Sequence, residues 1–321
     1  MGKGSTAGIV YAAAVCYMLI IGFAFLFIKL SLESADPIDA LAHRFTVAFA
    51  AISILFLILR RRISLIGGKQ LLSLLPLVLF YPFLFFLLQT YGLEYTTSGE
   101  AGIVNATVPI FTMLLASFFL RERASLLQKL FTLLTVSGVV FIFLMKGANF
   151  QASGIRGIVL IMLSALALSA YSILTRKLTL RHHFLDLTFV ILLAGFIVFN
   201  ALSVAHHAAE GTLPSYFDSL GTPSFLWSIL YLGIPSTAGT ALLTSFILTR
   251  MEALRMSLFN NAATVITILA GVFFLDESLA YYHIIGACMV LVGVVGVNLA
   301  GRMRRGEAVL AEKVGKGLTL R

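Results

Sequence analysis

Residues 105–122 read NATVPIFTMLLASFFLRE, and residues 260–277 read NNAATVITILAGVFFLDE. Asn105, Thr112, Leu114, Phe118-Phe119-Leu120 and Glu122 return in order as Asn260, Thr267, Leu269, Phe273-Phe274-Leu275 and Glu277. Further on, Gly138-Val139-Val140 returns as Gly293-Val294-Val295. The spacing is a constant 155 residues, the distance from Glu122 to Glu277, so the second half of the chain copies the first. Both copies lie in strongly apolar sequence. A membrane protein built from two similar halves points to transport, because cargo binds at the seam between such halves.

The composition sets the solvent. The chain has 321 residues, is 60% hydrophobic and 12% charged, and has a mean hydropathy of +1.00. A soluble domain is about 45–50% apolar and about 25% charged, so most of this chain must face lipid. The net charge of +9 does not mark a nucleic-acid binder, since the cations sit in short clusters between apolar runs. Cys16 and Cys288 fall inside apolar runs without metal-ligand spacing and read as packing residues. The first apolar run, from Gly8 to Ile28, is too long for a signal-peptide core and reads as a retained span.

A helix needs about 20 mostly apolar residues to cross the hydrocarbon. Ten segments qualify, at roughly 8–30, 38–59, 71–91, 99–120, 126–145, 157–175, 184–206, 224–248, 253–275 and 281–300. The loops are short and leave no room for a soluble domain. With the N-terminus inside, most of the 23 Lys and Arg residues fall on the cytoplasmic side, while Lys29, Lys146 and Arg156 fall outside and Arg44 falls within a span. The expectation is an all-α membrane protein with both termini inside. Five spans per half is an odd number, so the two copies must enter the membrane in opposite directions. The cationic turn Arg121-Glu122-Arg123 and its counterpart Asp276-Glu277-Ser278 carry the charges that opposite sides demand. The expected units are residues 1–147, an inverted copy at 148–301, and a basic, partly disordered cytoplasmic tail at 302–321.

Five plus five spans, with Phe-Phe-Leu-x-Glu and then a helix carrying Gly-Val-Val in each half, resembles the EamA-type branch of the drug/metabolite transporter superfamily. Lys29 near the end of the first span, Pro37 opening the second and Arg44 within it fit that pattern. The resemblance covers about Gly8 to Arg302. It implies a basket-shaped bundle with a central cavity that exports amino acids, drugs or other small metabolites, in a bacterial inner membrane. The chain departs from the pattern at two places. Ile21-Gly22 stands where the family often has Trp-Gly, and Ser169-Ala170-Tyr171 stands where the sixth span often has a tryptophan. The single tryptophan is Trp227.

Polar residues and prolines inside spans mark the candidate site. Pro76 and Pro82 interrupt the third span, Pro109 the fourth and Pro235 the eighth. They read either as packing kinks or as hinges and cavity walls, since an unwound helix exposes groups that bind cargo. Polar side chains gather in the third, fourth, sixth, eighth and ninth spans, which are expected to face a cavity; the fifth and tenth are apolar and are expected to pack or face lipid. The candidate substrate-binding residues are Tyr81, Gln89, Asn105, Thr112, Tyr171, Thr240, Asn260 and Thr264. Each can also serve as helix glue. Arg44 costs about 2.5–3.5 kcal/mol at mid-membrane. It either snorkels to the acidic loop holding Glu33 and Asp39, anchors a cargo carboxylate, or gates the outer mouth; Lys29 has the same readings. Glu122 and Glu277 read either as caps of the helix that follows each of them or as ion-coupling carboxylates.

No Asp or Glu lies at the centre of a span, so ion coupling is not visible and facilitated export or exchange is favoured. H-E-x-x-H, P-loop and G-x-S-x-G motifs are absent. The expectation is therefore a non-enzyme without cofactor or metal. Its partners would be a small-molecule substrate and the lipid bilayer, with no nucleic acid. Gly286, Gly293 and Ala300 form a seven-residue stripe, read as packing within the protomer more than as a dimer seam, so a monomer or weak homodimer is expected. The function read from these features is secondary transport of small metabolites such as amino acids by alternating access. The alternatives are a multidrug efflux carrier of the same fold and a non-transporting membrane scaffold or sensor.

Overall fold

Helix ends fall where the local sequence dictates them. A computed structural model describes residues 3–60, 74–120, 125–145, 152–178, 183–251 and 253–318, without the side chains of 3–7, 116–120, 143, 152, 153, 176, 253–255, 257, 258, 260, 261, 298 and 301–318. Helix α1 is Lys3–Leu32 and α2 is Pro37–Ile58, opened by a proline whose missing N–H costs nothing in a first turn. Helix α3 is Leu74–Glu94, and α4 is in two pieces, Ser98–Asn105 and Val108–Leu120. Helix α5 is Leu126–Met145, α6 is Ala152–Leu178, and α7 is Phe184–Glu210, ended by Gly211 at φ 71°. A short 3-10 helix, Leu213–Gly221, leads into α8 at Pro223–Leu248; α9 is Ala253–Leu275 and α10 is Tyr281–Leu318.

Seven of the described helical stretches are long and apolar enough to cross a membrane, namely α1, α2, α3, α6, α7, α8 and the Ser98–Leu115 part of α4. Shorter apolar helices, Leu126–Ile142, Ala262–Leu275 and Tyr281–Val297, stand where the fifth, ninth and tenth spans were expected. Leu57, Trp227 and Phe273 are 77%, 70% and 75% exposed, an outer surface that only lipid can cover. This is a multi-pass membrane protein. The expectation of a loose tail from Arg302 is corrected: α10 runs on to Leu318, through a segment rich in the good helix formers Arg, Glu, Ala and Leu.

The helices pack in matched pairs. α1 lies on α9 and α4 on α6; α3 lies on α6 and α1 on α8. Each of these pairings maps onto its mate when five is added to the helix number, taken cyclically. Three other large contacts, α2 with α7, α4 with α9 and α5 with α10, map onto themselves, while the α2–α8 contact is more extensive than its mate, α3 with α7. In the α2–α7 seam, Phe45 stacks on Phe199 and meets Phe86 edge-on, both at 5.0 Å between ring centres.

The α5–α10 seam is built on glycine. A Cβ at Gly138 would strike the Gly286 carbonyl, and one at Gly293 would strike the Phe131 carbonyl and Thr135. Backbones can meet this closely only without side chains. The stripe expected from Gly286 and Gly293 therefore packs inside the protomer.

Candidate substrate site

Two helices break at the same register. In α3 the α-helical pattern gives way to a wide π-type turn at Leu79–Leu84, where Tyr81 is extended (φ −149°, ψ 115°) and Pro82 supplies no N–H. In α8 a π-type turn occupies Ile234–Gly239, with Pro235 near its start, and the chain stays helical through it. Leu79 and Ile234 are 155 residues apart, the spacing of the sequence repeat. A third break, at Ala106–Thr107 of α4, follows from Pro109, whose ring excludes the bond to the Asn105 carbonyl. The position equivalent to Pro109 is Thr264, and there α9 is continuous.

These breaks surround a central cavity with room of about 40 Å³ for water-sized molecules. Of the ten sequence-predicted residues, Arg44, Tyr81, Gln89, Asn105, Tyr171 and Thr240 line it, together with Ser172, Ser236 and Thr244. Tyr81 stacks on Tyr171 at 4.2 Å, joining α3 to α6 across the seam of the halves. Thr112 and Thr264 do not line the cavity. The Thr112 hydroxyl donates to the Val108 carbonyl, and Thr264 donates to the Gly102 carbonyl, tying α9 to α4. The Asn260 side chain lies outside the described residues, as does Glu122.

Arg44 does not snorkel outward. It is 3% exposed; its Nε donates to Thr237 Oγ1 at 2.6 Å, its Nη2 donates to Ser236 Oγ at 3.2 Å, and its guanidinium lies 4.4 Å above the Phe86 ring. Asp39, the acid nearest to it in sequence, is already taken by Ser203 and His207. The break in α8 makes this reach possible by presenting Ser236 and Thr237 to α2. Arg44 is the one cation among the described lining residues, and no carboxylate faces it there. Its Nη1 and the Asn105 Oδ1 are both buried without a partner.

Reading polar content alone misses α1, which contributes Tyr17, Ile21, Ala24 and Phe25 to the cavity wall. Aromatic and small side chains carry no polar signal, and only Tyr17 hints at it. From α9, Met256 lines the cavity.

One end of the bundle is laced together. Thr97 caps α4 and accepts from the Glu100 amide, while Glu277 accepts from the Ser98 and Gly99 amides at 2.7 and 2.9 Å. Glu277 thus caps a helix of the other half, not the helix that follows it. The Glu100 carboxylate accepts from Thr96 at 2.7 Å and meets His283 Nε2 at 3.4 Å. Lys29 is not in the cavity; it sits within electrostatic reach of Glu277, Glu100 and Glu94. Asp39 binds Ser203 at 2.5 Å and His207 at 3.0 Å, and His207 meets Thr212 at 2.8 Å. Tyr216, on the 3-10 helix beyond the spans, donates to Asn200; burial, and then the nearby Asp39 charge, raise its pKa above the usual value.

Both halves carry the same family signature: residues 8–144 and again 155–299 match the EamA-like transporter family. The chain belongs to that family. It is 46% identical to an uncharacterized transporter, YcxC, of Bacillus subtilis (strain 168), over 90% of this chain and 92% of the relative. It is 30% identical to an uncharacterized transporter of Archaeoglobus fulgidus over 85% of this chain and 92% of the relative. A solved crystal structure of 18% identity shares the fold, with a TM-score of 0.64 over 92% of this chain and 98% of the other. This EamA-like protein is therefore a membrane transporter whose two family repeats meet at the cavity described above.

Proposed function

We propose that this protein is a secondary transporter, an exporter or exchanger, that carries small organic metabolites such as amino acids across the bacterial inner membrane by alternating access. The observation that carries this reading is the pair of equal-register breaks in α3 and α8, which bring polar groups of both halves to one central cavity. Unwound turns at mid-membrane are tolerated where they line a cavity and are the usual place for cargo contacts. The matched helix pairings support a two-fold relation between the halves. The charge asymmetry supports an inverted arrangement of ten spans with both termini inside. In that arrangement the laced end is the outer one.

The test is saturable counterflow. Protein reconstituted into liposomes and preloaded with unlabelled amino acids should accumulate labelled amino acid transiently, and flux should saturate. Linear, non-saturating uptake would point to a channel, and no flux of any solute would remove the transport reading. Topology has its own check: single cysteines placed at the Glu122 and Glu277 turns should label from opposite faces.

A further inference from the structure

Two buried histidine–carboxylate pairs join the halves. His207 at the end of α7 meets Asp39 at the start of α2 at 3.0 Å, and His283 at the start of α10 meets Glu100 at the start of α4 at 3.4 Å. In each pair the carboxylate comes from the first family repeat and the imidazole from the second. Both pairs lie at one end of the bundle: Tyr91 is within electrostatic reach of Asp39 and Glu94, and Lys29 of Glu94 and Glu100. An ionised carboxylate only accepts, so each ring turns an Nε2–H towards it. The other ring nitrogen decides what a further proton does. In His207 it meets the Thr212 hydroxyl at 2.8 Å, which donates to a neutral ring and accepts from a charged one, so the ring gains charge without losing a bond. In His283 it accepts from the Ala280 amide at 3.1 Å, and a proton there exchanges that neutral bond for an ion pair with Glu100, the stronger of the two.

The charges around the pairs favour those protons. Near His283, Glu94 of α3, Glu100 of α4 and Glu277 of the α9–α10 turn surround one cation, Lys29 of α1. Tyr282 packs on His283 at 4.3 Å, and Arg156 of α6 stacks over the Tyr95 ring. Near His207 and Asp39 stand Tyr216 of the 3-10 helix and Tyr91 of α3, which also faces Asp36. His43 of α2 is turned to the Tyr216 carbonyl, and the more exposed His206–Glu210 pair lies within α7. Building on the transporter reading above, which makes this the outer end, we infer that the two pairs are proton-binding sites that work as a lock. A proton taken up by each imidazole ties the halves together at the outer end, and its loss frees them. The held form binds these protons more tightly than the released form, so acid outside favours the held form and rising pH releases it.

The experiment is hydrogen–deuterium exchange with mass spectrometry on the detergent-purified full chain, in steps across about pH 5–8, where histidine changes charge. Rates are corrected for chemical exchange, so that protection reports local opening. Peptides over residues 96–102, 207–213 and 280–286 cover the two pairs. Their protection should fall by about tenfold from the acid to the alkaline limit, the most that one site with a tenfold difference in proton affinity between held and released forms supplies. Glutamine reaches the carboxylate with an N–H but takes up no proton. His207→Gln combined with His283→Gln should therefore hold protection constant within about twofold over the same range. His283→Gln alone should flatten the profile at 96–102 and 280–286 and leave that at 207–213. Wild-type protection that is constant or rises with pH overturns the inference, as does a double variant that keeps the wild-type slope. If the double variant is not monodisperse, the wild-type profile and His283→Gln carry the decision. Counterflow is read separately: a pH-dependent end in a protein without flux removes the transport reading and leaves the lock, whereas flux with a pH-independent end removes the lock alone.

Discussion

Glu277 caps α4 from the opposite half of the chain, its two carboxylate oxygens accepting from the amides of Ser98 and Gly99 at 2.7 and 2.9 Å. With Thr97 taking the Glu100 amide, the first three amides of α4 are all satisfied. Removing a capping acceptor costs about 0.5–2 kcal/mol. Glu277→Ala should therefore lower the melting temperature of the purified protein, and Glu277→Gln should recover part of the loss through its one remaining acceptor. If Glu277→Ala melts like wild type, the cap does not contribute to the stability of this end.

The sequence counterpart of Glu277 in the first half is Glu122. Its counterparts of Ser98 and Gly99, at the 155-residue spacing, are Ala253 and Leu254 at the start of α9. Glu122→Ala should destabilise by a similar amount, about 0.5–2 kcal/mol. In cysteine-accessibility labelling it should loosen the face opposite the one loosened by Glu277→Ala. Loosening of the same face by both variants would contradict the inverted arrangement.

Pro109 and Thr264 occupy equivalent places, yet only α4 is broken. Pro109→Ala restores the N–H that can bond the Asn105 carbonyl and so favours a continuous helix. The expected outcome is a protein at least as stable as wild type whose counterflow rate falls by about tenfold, because Asn105 is turned from the cavity; positioning errors of about 1 Å carry costs of this order or more. Unchanged counterflow would show that the break is not needed for the site.

The fold was legible in this chain because lipid leaves a backbone few options: apolar runs of about 20 residues must be helices. Pro82 and Pro235 marked the interruptions of α3 and α8, whose equal register only the structure adds. The site was legible where polarity marked it, at Arg44, Tyr81, Gln89, Asn105, Tyr171 and Thr240. It was not legible where polar groups serve packing. Thr112 and Thr264 look the same in sequence as cavity residues but spend their hydroxyls on backbone carbonyls. Nor does pattern reveal a long side chain's direction: Arg44 reaches the α8 break because Asp39, its nearest acid in sequence, is committed to His207 and Ser203.

Asp39 and His207 form a pair about nine-tenths buried, with their side chains 10% and 9% exposed. It joins the start of α2 to the end of α7, and His207 passes the connection to Thr212 before the 3-10 helix. Breaking a buried pair from one side costs about 3–5 kcal/mol, because the remaining partner keeps its desolvation penalty. Asp39→Ala should be destabilised by about that much, and Asp39→Ala combined with His207→Ala by less than the sum of the single losses. Additive losses in this double-mutant cycle, followed by thermal denaturation, would mean the two side chains do not act together.

Gly293 rests on the Phe131 carbonyl and Thr135, and Gly138 rests on the Gly286 carbonyl. The obstacle at each place is backbone, which cannot swing aside as a side-chain tip can. Gly293→Val should force α10 away from α5 and lower stability by about 1–3 kcal/mol, the usual cost of overpacking. No described side chain of α5 or α10 lines the cavity, so Gly293→Val protein that does fold should bind cargo with wild-type affinity. A variant that folds as stably as wild type but no longer binds would instead place this seam in the transport machinery.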